Sequence, residues 1–345
     1  MRAVCLGECS AILPRPALRD NDDARRGRGG GDEKEERMGE SGCAIAIGSM
    51  AERVLRLRAC RSTVLAPVRG AVYLETEGGE ILWVVESRAG LHRRAILVSR
   101  MPSYLPPVGE PCVVEDGSLR VGTTLAIDLR NAQVWRGGRV AGRIGEVDEA
   151  AERLAEGIRR LVAEAPVRGE LTRLVLASEE TEDRGGREAV SGGAIGAVRR
   201  GVDALRRIAP RRGLRAALEE AEGLVGLGGG LTPSGDDFLG GFLFTLRCLG
   251  PDVAGAEPES VDEWIQSVKA RTTRISHAVL ADLAVGEAAE PLAELLRSAL
   301  AGLPVDPLAR LALRVSEVGH SSGWETLAGV ACACAEIGRR ARSEG

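Results

Sequence analysis

The residues best equipped for chemistry lie in Gly226-Leu-Gly-Gly-Gly-Leu-Thr-Pro-Ser-Gly-Asp-Asp-Phe-Leu-Gly-Gly-Phe242. A shorter version returns as Gly319-His-Ser-Ser-Gly-Trp-Glu-Thr-Leu-Ala-Gly329. Laid together, Ser234 and Gly235 match Ser322 and Gly323, Asp237 matches Glu325, Leu239 matches Leu327, and Gly241 matches Gly329. Each copy sets an acid three residues after a serine and then runs apolar, the pattern of a capped helix start. A helix start leaves backbone N–H groups without partners, so two of them facing each other would suit an anionic ligand. Ordinary capping boxes would explain either copy alone, but four glycines ahead of the first copy exceed what a cap needs.

The N–H groups of Gly228, Gly229 and Gly230 can line a concave anion site, with Thr232 and Ser234 adding hydroxyl donors. The loop is not of the Walker type, since no lysine precedes its hydroxyl residue. Nor is it a dinucleotide fingerprint, because Leu231 holds the third glycine position. Asp236 and Asp237 fall in the first helical turn, where carboxylates suit the helix dipole. That role accounts for Asp236. For Asp237 it stands beside a functional one: holding a cation, orienting an arginine or accepting a substrate N–H. A second cluster, Arg271-Thr-Thr-Arg-Ile-Ser-His277, offers an arginine fork and the hydroxyls of Thr272, Thr273 and Ser276 to a phosphate or carboxylate. A solvated helix junction is the alternative. His320 is the better general acid/base of the two histidines in these segments, because imidazole titrates near neutral pH. The catalytic candidates are thus His320 and Asp237. The binding candidates are Gly228, Gly229, Gly230, Thr232, Ser234, Arg271, Thr272, Thr273, Ser276, Ser321, Ser322 and Glu325. No metal or cofactor is assigned.

Composition excludes several partners. A net charge of −4 gives no basic footprint for nucleic acid. Aromatic residues make up 3%, with every Phe between Phe238 and Phe244, which leaves no base-stacking platform. The eight cysteines lack paired zinc spacing and read as small buried residues of a reducing cytoplasm. No apolar run approaches the length of a membrane span. Residues 1–12 lack the charged start and cleavage site of a signal peptide. A cytoplasmic protein without nucleic-acid or membrane partners is expected.

These candidates need elements to hold them. At 345 residues the chain has room for two domains. Residues 1–48 are expected to form a disordered tail, since 14–42 are dense in charge and glycine; Met38 and Met50 are candidate starts of the folded part. A β-rich module is expected over 50–142. Short β-rich runs at Thr63–Leu65, Gly70–Glu75, Glu80–Val85, Arg94–Ser99, Pro111–Val114, Thr124–Leu129 and Gln133–Trp135 suggest a small barrel or sandwich. From 143 to 345 the period becomes helical. Helix faces run through Ala151–Val162 and Ile195–Ile208, a short strand is possible at Leu171–Leu176, and helices are expected near 213–222, 235–249, 261–271, 273–285, 288–301, 306–317 and 323–341. The fold class is α+β: a small β-barrel or sandwich, then a larger helical module carrying the glycine loop.

The 226–241 motif, Thr272-Thr-x-Ile-Ser276 and the 319–329 motif together resemble the AllH family, over about residue 50 to the C-terminus. The chain departs from that family at Gly229, often Pro there, at Glu325, where Asp is expected, and in its N-terminal extension. The resemblance implies a subunit of a carbamoyltransferase similar to oxamate carbamoyltransferase, converting oxalurate and phosphate to oxamate and carbamoyl phosphate in purine and allantoin breakdown. It implies FdrA-like and AllG-like partner subunits and a small anionic substrate such as carbamoyl phosphate, oxalurate or oxamate. The same features suit a non-catalytic metabolite-binding or assembly subunit.

Overall fold

In the computed structural model, residues 40–56, 61–86, 88–137, 140, 147–173, 175, 194–207, 213–249 and 258–344 are described. Nine strands come first: β1 (Glu40–Gly48), β2 (Arg61–Val68), β3 (Ala71–Thr76), β4 (Ile81–Val85), β5 (Ala95–Val98), β6 (Pro111–Glu115), β7 (Ser118–Val121), β8 (Leu125–Asp128) and β9 (Gln133–Trp135). Helix α1 (Ser49–Arg56) follows β1 directly. The hydrogen-bonded order β5-β4-β3-β2-β6-β7-β8-β1 closes on itself through a β1–β5 pairing, so eight strands form a barrel and β9 is added beside β1.

Strand β1 does the closing. Its first residues run parallel to β8 and its last ones parallel to β9, while Ala44–Ile47 pair antiparallel with β5. A register shift between Ala44 and Ala46 bends the strand enough to serve all three. Gly48 ends it at a close crossing, where an added Cβ would fall 2.2 Å from the His92 carbonyl oxygen. The Met50 and Ala51 N–H groups then donate to the Arg93 carbonyl at 2.9 and 3.0 Å, tying the start of α1 to the turn that carries His92.

Strands β3, β4 and β5 are apolar on both faces, for two different reasons. Val72, Leu74, Leu82, Val84, Ile96 and Val98 point into the barrel with Val64, Leu119 and Ile127. The alternate residues Ala71, Tyr73, Ile81, Trp83, Val85, Ala95 and Leu97 form a second cluster that includes Ile275 and Ala278 of a helix. The continuous apolar run of β4 follows from this double covering.

The helical part comprises α2 (Val147–Glu164), α3 (Ala194–Arg207), α4 (Leu214–Glu220), α5 (Ser234–Leu249), α6 (Pro258–Ser267), α7 (Arg274–Ala284), α8 (Glu290–Leu300), α9 (Val305–Ser316) and α10 (Ser322–Glu344). Helix α5 is buried along nearly its whole length, with Phe238, Phe242 and Phe244 fully enclosed. The architecture is α+β, a barrel followed by a helical region.

Three expectations change. Residues 40–48, read as tail, form β1: their small residues carry no visible alternation, yet Ala44 and Ala46 are buried in the barrel wall. The rest of the expected tail lies outside the described residues. The strand considered at Leu171–Leu176 is helical at 170–173 and 175, with 174 and 176 outside the described residues. The helix placed near 261–271 stops at Ser267 and continues only as a 3-10 turn, Lys269–Arg271.

Candidate functional site

The two related motifs build the same local structure. In the first, the Leu227 N–H donates to Leu224 O at 3.0 Å and the Gly235 N–H to Leu227 O at 2.9 Å. In the second, Val318 donates to Val315 at 3.0 Å and Gly323 to Val318 at 3.0 Å. Each turn is followed by a glycine at positive φ, Gly228 at 109° and Gly319 at 66°. Each helix then starts against the preceding turn through a glycine. An added Cβ at Gly235 or Gly323 would lie 1.9 Å from the carbonyl oxygen of Leu224 or Val315.

Helices α5 and α10 cross at equivalent points. A Cβ on Gly241 would fall 2.1 Å from Thr326 O, and one on Gly329 would fall 2.0 Å from Phe238 O. Phe238 and Thr326 are themselves equivalent positions, so the two helix starts are related by a local two-fold axis. The side chains exchange partners across it. Ser322 hydrogen-bonds Asp237, Ser234 hydrogen-bonds Glu325, and the Thr232 and Ser322 hydroxyls lie 2.8 Å apart.

The matched acids nevertheless do different things. Glu325, fully buried, accepts from the Thr172 N–H at 2.7 Å, the Thr172 hydroxyl at 2.6 Å and the Leu171 N–H at 3.3 Å. Its longer side chain reaches away from the axis to anchor residues 170–173. Asp237 is 6% exposed, and its Oδ2 is buried with no hydrogen-bond partner among the described residues. It lines a cavity of about 540 Å³ together with Thr232 and Ser322. An unpaired polar atom in that position is costly unless something binds there.

The barrel supplies the facing wall. Tyr73, Trp83 and His92 line the same cavity. The Tyr73 and Trp83 rings are 5.8 Å apart and tilted by 55°, while Trp83 and His92 stack at 5.0 Å. Trp83 is fixed through its Nε1–H, which donates to Gly90 O at 3.2 Å. His92 Nδ1 accepts from the Arg94 N–H at 3.3 Å, and its Nε2 sits 3.6 Å from Asp282 Oδ2. Asp282, on α7, is clamped by Arg94 through Nε at 2.5 Å and Nη2 at 2.9 Å, and by Arg93 at 2.5 Å. That buried cluster locks α7 to β5 and holds the two walls in register.

Burial dominates the electrostatics. It pushes the Asp237 carboxyl up to about 8, against the Ser322 and Thr232 hydrogen bonds and with the charges of Asp236 and Glu325. Asp237 is therefore a neutral acid at pH 7, with one proton to donate. Burial also raises Glu325, opposed by its Thr172, Leu171 and Ser234 hydrogen bonds. Tyr73 is raised by burial and then by Asp237. Burial drops His92 to about 4 although Asp282 pulls the other way, so the ring is neutral. Burial alone would raise Asp282, but the Arg94 hydrogen bonds and the neighbouring positive charges hold it below the ordinary carboxylate range.

Residues 224–334 match the family model for oxamate carbamoyltransferase subunit AllH. Over that span the chain is similar to the AllH family. The match takes in both helix starts and everything between them, but less than half of the chain, and the barrel lies outside it. No curated protein and no solved structure matches the chain.

Within the AllH span the proposed site residues separate into three groups. Asp237, Thr232, Ser322, Ser234 and Glu325 come together at the local axis. The cluster at 271–277 instead fastens the glycine loop. Asp236, 2% exposed, accepts from Gly226 N–H at 2.9 Å, from Ser276 Oγ at 2.7 Å and from the Thr272 hydroxyl. Thr273 caps α7 by accepting from Ser276 N–H at 3.0 Å, and donates to Leu231 O at 2.5 Å. Arg271 pairs with Glu222 at 2.5 Å, on the surface. His277 Nε2 lies 3.1 Å from Ile265 O, and burial lowers its pKa. In the third group, Gly228, Gly229, Gly230 and His320 are exposed, Ser321 is half-buried beside them, and none of these lines the cavity.

Sequence reasoning missed Tyr73, Trp83 and His92, which sit outside the AllH match. A signal was present: strands apolar on both faces require a second covering layer, and rare aromatic residues at alternate positions mark the face it covers.

Proposed function

We propose that this chain is a subunit of a carbamoyltransferase resembling oxamate carbamoyltransferase, and that the Asp237 cavity receives its substrate. The AllH match supports the reaction class. The observation that carries the site is Asp237, a buried carboxyl with one unpartnered oxygen among the described residues, which lines a cavity with Thr232, Ser322 and the Tyr73, Trp83 and His92 rings. In the direction of oxalurate cleavage, a phosphate oxygen attacks the carbamoyl carbon, the carbon–nitrogen bond breaks, and the departing nitrogen takes a proton to give oxamate. Carbamoyl phosphate is the other product. A neutral carboxyl beside that carbon can hold the developing oxyanion, as donors do in acyl-transfer sites. The setting would be cytoplasmic purine or allantoin breakdown.

One observation favours a shared active site over a self-sufficient one. Arg271 is paired with Glu222, which leaves the exposed Arg69 as the one arginine lining the cavity among the described residues. A dianionic phosphate would need further cations, which FdrA-like or AllG-like partners would supply. The exposed Gly228–Gly230 loop and His320 would face a partner subunit or a second ligand. If no turnover accompanies assembly, the chain is instead a metabolite-binding or assembly subunit.

The test is co-expression with candidate partner subunits and an assay of phosphate-dependent oxalurate cleavage. Turnover that falls at least ~100-fold with Asp237→Ala, in a complex that still assembles, supports the reading. Absence of turnover in a fully assembled complex overturns the catalytic reading.

A further inference from the structure

Strands β2 and β3 are joined by two residues, Arg69 and Gly70, with Val68 paired to Ala71 across the turn. So short a connection takes a positive φ at its second residue, and Gly70 supplies it at 80°. The Glu86 N–H donates to Gly70 O at 3.4 Å, which ties the turn to the end of β4. The backbone at Arg69 is thereby held, while its side chain is exposed and makes no hydrogen bond or ion pair among the described residues. That side chain lines the Asp237 cavity. The other basic groups close by are spent: Arg93 and Arg94 are held by Asp282, and His92 is neutral.

Two acidic side chains share the lining with Arg69. Glu86 is fixed beside the turn, where its Oε2 accepts from the Met101 N–H at 3.0 Å and its Oε1 lies 3.5 Å from the place of a Cβ on Gly70. Glu317 ends α9 at the other wall. One arginine among two acids suits a ligand with a single negative charge, because a dianion would meet both acids with one cation to offset them. The remaining wall is apolar: Val68, Val279, Leu283, Leu292, Val315 and Val318 stand beside the Tyr73 and Trp83 rings. At about 540 Å³ the cavity falls within the roughly 300–1,000 Å³ of sites that enclose drug-sized ligands. Oxalurate has no hydrocarbon group to set against that wall.

We propose that Arg69 holds the carboxylate of the ligand in this cavity, and that the ligand is a monocarboxylate with a branched aliphatic or aromatic body larger than oxalurate. This rests on the carbamoyltransferase reading for what is done to the ligand, and it names the substrate class and the residue that selects it. The planar fork of the guanidinium can take both carboxylate oxygens, and the aliphatic side chains then cover the body.

The assignment can be measured on the full chain without turnover. The probes are 4-methylpentanoate, its neutral amide 4-methylpentanamide, acetate and inorganic phosphate, in calorimetric titration at pH 7.5. The long acid should bind at least ~10-fold tighter than acetate, from the added buried methylenes. It should bind at least ~5-fold tighter than its amide, and that preference should shrink at high salt. Arg69→Gln should bring acid and amide to within ~2-fold of each other by weakening the acid alone, and Arg69→Lys should restore part of the preference. A thermal melt of each variant confirms that it is folded. Phosphate should displace the long acid less well than acetate does.

No binding of the long acid, equal affinity for acid and amide, or an unchanged preference in Arg69→Gln overturns the proposal. Acetate binding as tightly as the long acid overturns it too, and so does phosphate competing better than acetate. The two readings fail separately. The expected binding with no turnover in the assembled complex sinks the carbamoyltransferase reading alone. Oxalurate turnover by a complex whose Arg69→Gln subunit keeps an unchanged KM sinks the Arg69 assignment alone.

Discussion

A carboxyl held neutral by burial leaves a thermodynamic signature that Asp237→Asn exposes. The folded protein holds the Asp237 proton up to about pH 8, whereas an unfolded chain releases it near pH 4. Between those values the native state binds one more proton than the unfolded state, so stability falls as pH rises and levels off above pH 8. This is the reverse of a salt-bridged aspartate, which gains stability over a lower pH range. The separation of about four units corresponds to a ceiling on the order of 5 kcal/mol, and relaxation or water entry in the unfolded direction reduces what is realised. The asparagine side chain has the same shape and no charge to desolvate. Wild type and Asp237→Asn should therefore match to within about 1 kcal/mol at pH 4.5. By pH 8.5 the variant should be more stable by roughly 2 kcal/mol or more. Denaturant unfolding at both pH values, taken as the difference between the two proteins, cancels every other titrating group. A difference that is flat from pH 4.5 to 8.5 would refute the reasoning, since Asp237 would then ionise normally in the fold. A difference of the opposite sign would show a carboxylate stabilised by an unseen cation.

Other perturbations test the elements around it. His92, depressed to about 4, keeps the native state from taking up a proton that the unfolded chain accepts near 6.5; its stabilising contribution is complete above pH 6.5 and is lost as pH falls towards 4. His92→Gln should flatten that acid loss, measured as melting temperature against pH. Gly241→Ala and Gly329→Ala each place a methyl about 2 Å from a backbone oxygen of the opposite helix, so each should cost roughly 2 kcal/mol or more in denaturant unfolding. Gly229 has open space and no positive φ, and Gly229→Ala should change stability by less than about 0.5 kcal/mol in the same assay. A large loss there would mean that the exposed loop is packed against something.

Periodicity revealed most of the elements because most of them have one wet face. Helices α2, α8 and α9 show it, and so does the alternation in β8. What stayed hidden lacked that contrast. Strand β1, Glu-Ser-Gly-Cys-Ala-Ile-Ala-Ile-Gly, is mostly small residues, and its identity comes from three partners whose paired residues lie 49 to 87 positions downstream. Strand β7, Ser-Leu-Arg-Val, is too short to stand out beside its neighbours, and β6 and β8 supply its ladder. The same limit applies to function. Spacing identified Asp237, Thr232 and Ser322 but could not say which of their neighbours had spent their polar groups internally. Thr272, Thr273 and Ser276 look like ligand donors in one dimension, and their hydroxyls go to Asp236 and to Leu231 O.

The duplicated motif also explains why one acid is free to act and its twin is not. Both sit three residues past a serine, and each receives the other copy's serine across the local axis. Symmetry would give them equal burdens. Two differences break it. The first loop is three residues longer, since eight residues lead from Leu227 to Gly235 and five from Val318 to Gly323. The second acid is longer by one methylene. Glu325 uses that reach to engage Thr172 and Leu171. Asp237 is too short to find an equivalent anchor, and Thr232, in the longer loop, closes over it. Lengthening the first acid should therefore test the division of labour. Asp237→Glu would push a carboxyl into the cavity towards Tyr73, filling the volume a ligand needs while leaving the helix crossing at Gly241 and Gly329 untouched. The expected result is a protein that melts within a few degrees of wild type and, in the assembled complex, loses phosphate-dependent oxalurate cleavage. If Asp237→Glu turns over as wild type does, the cavity is not where the substrate is held, and the asymmetry of the two acids is structural only.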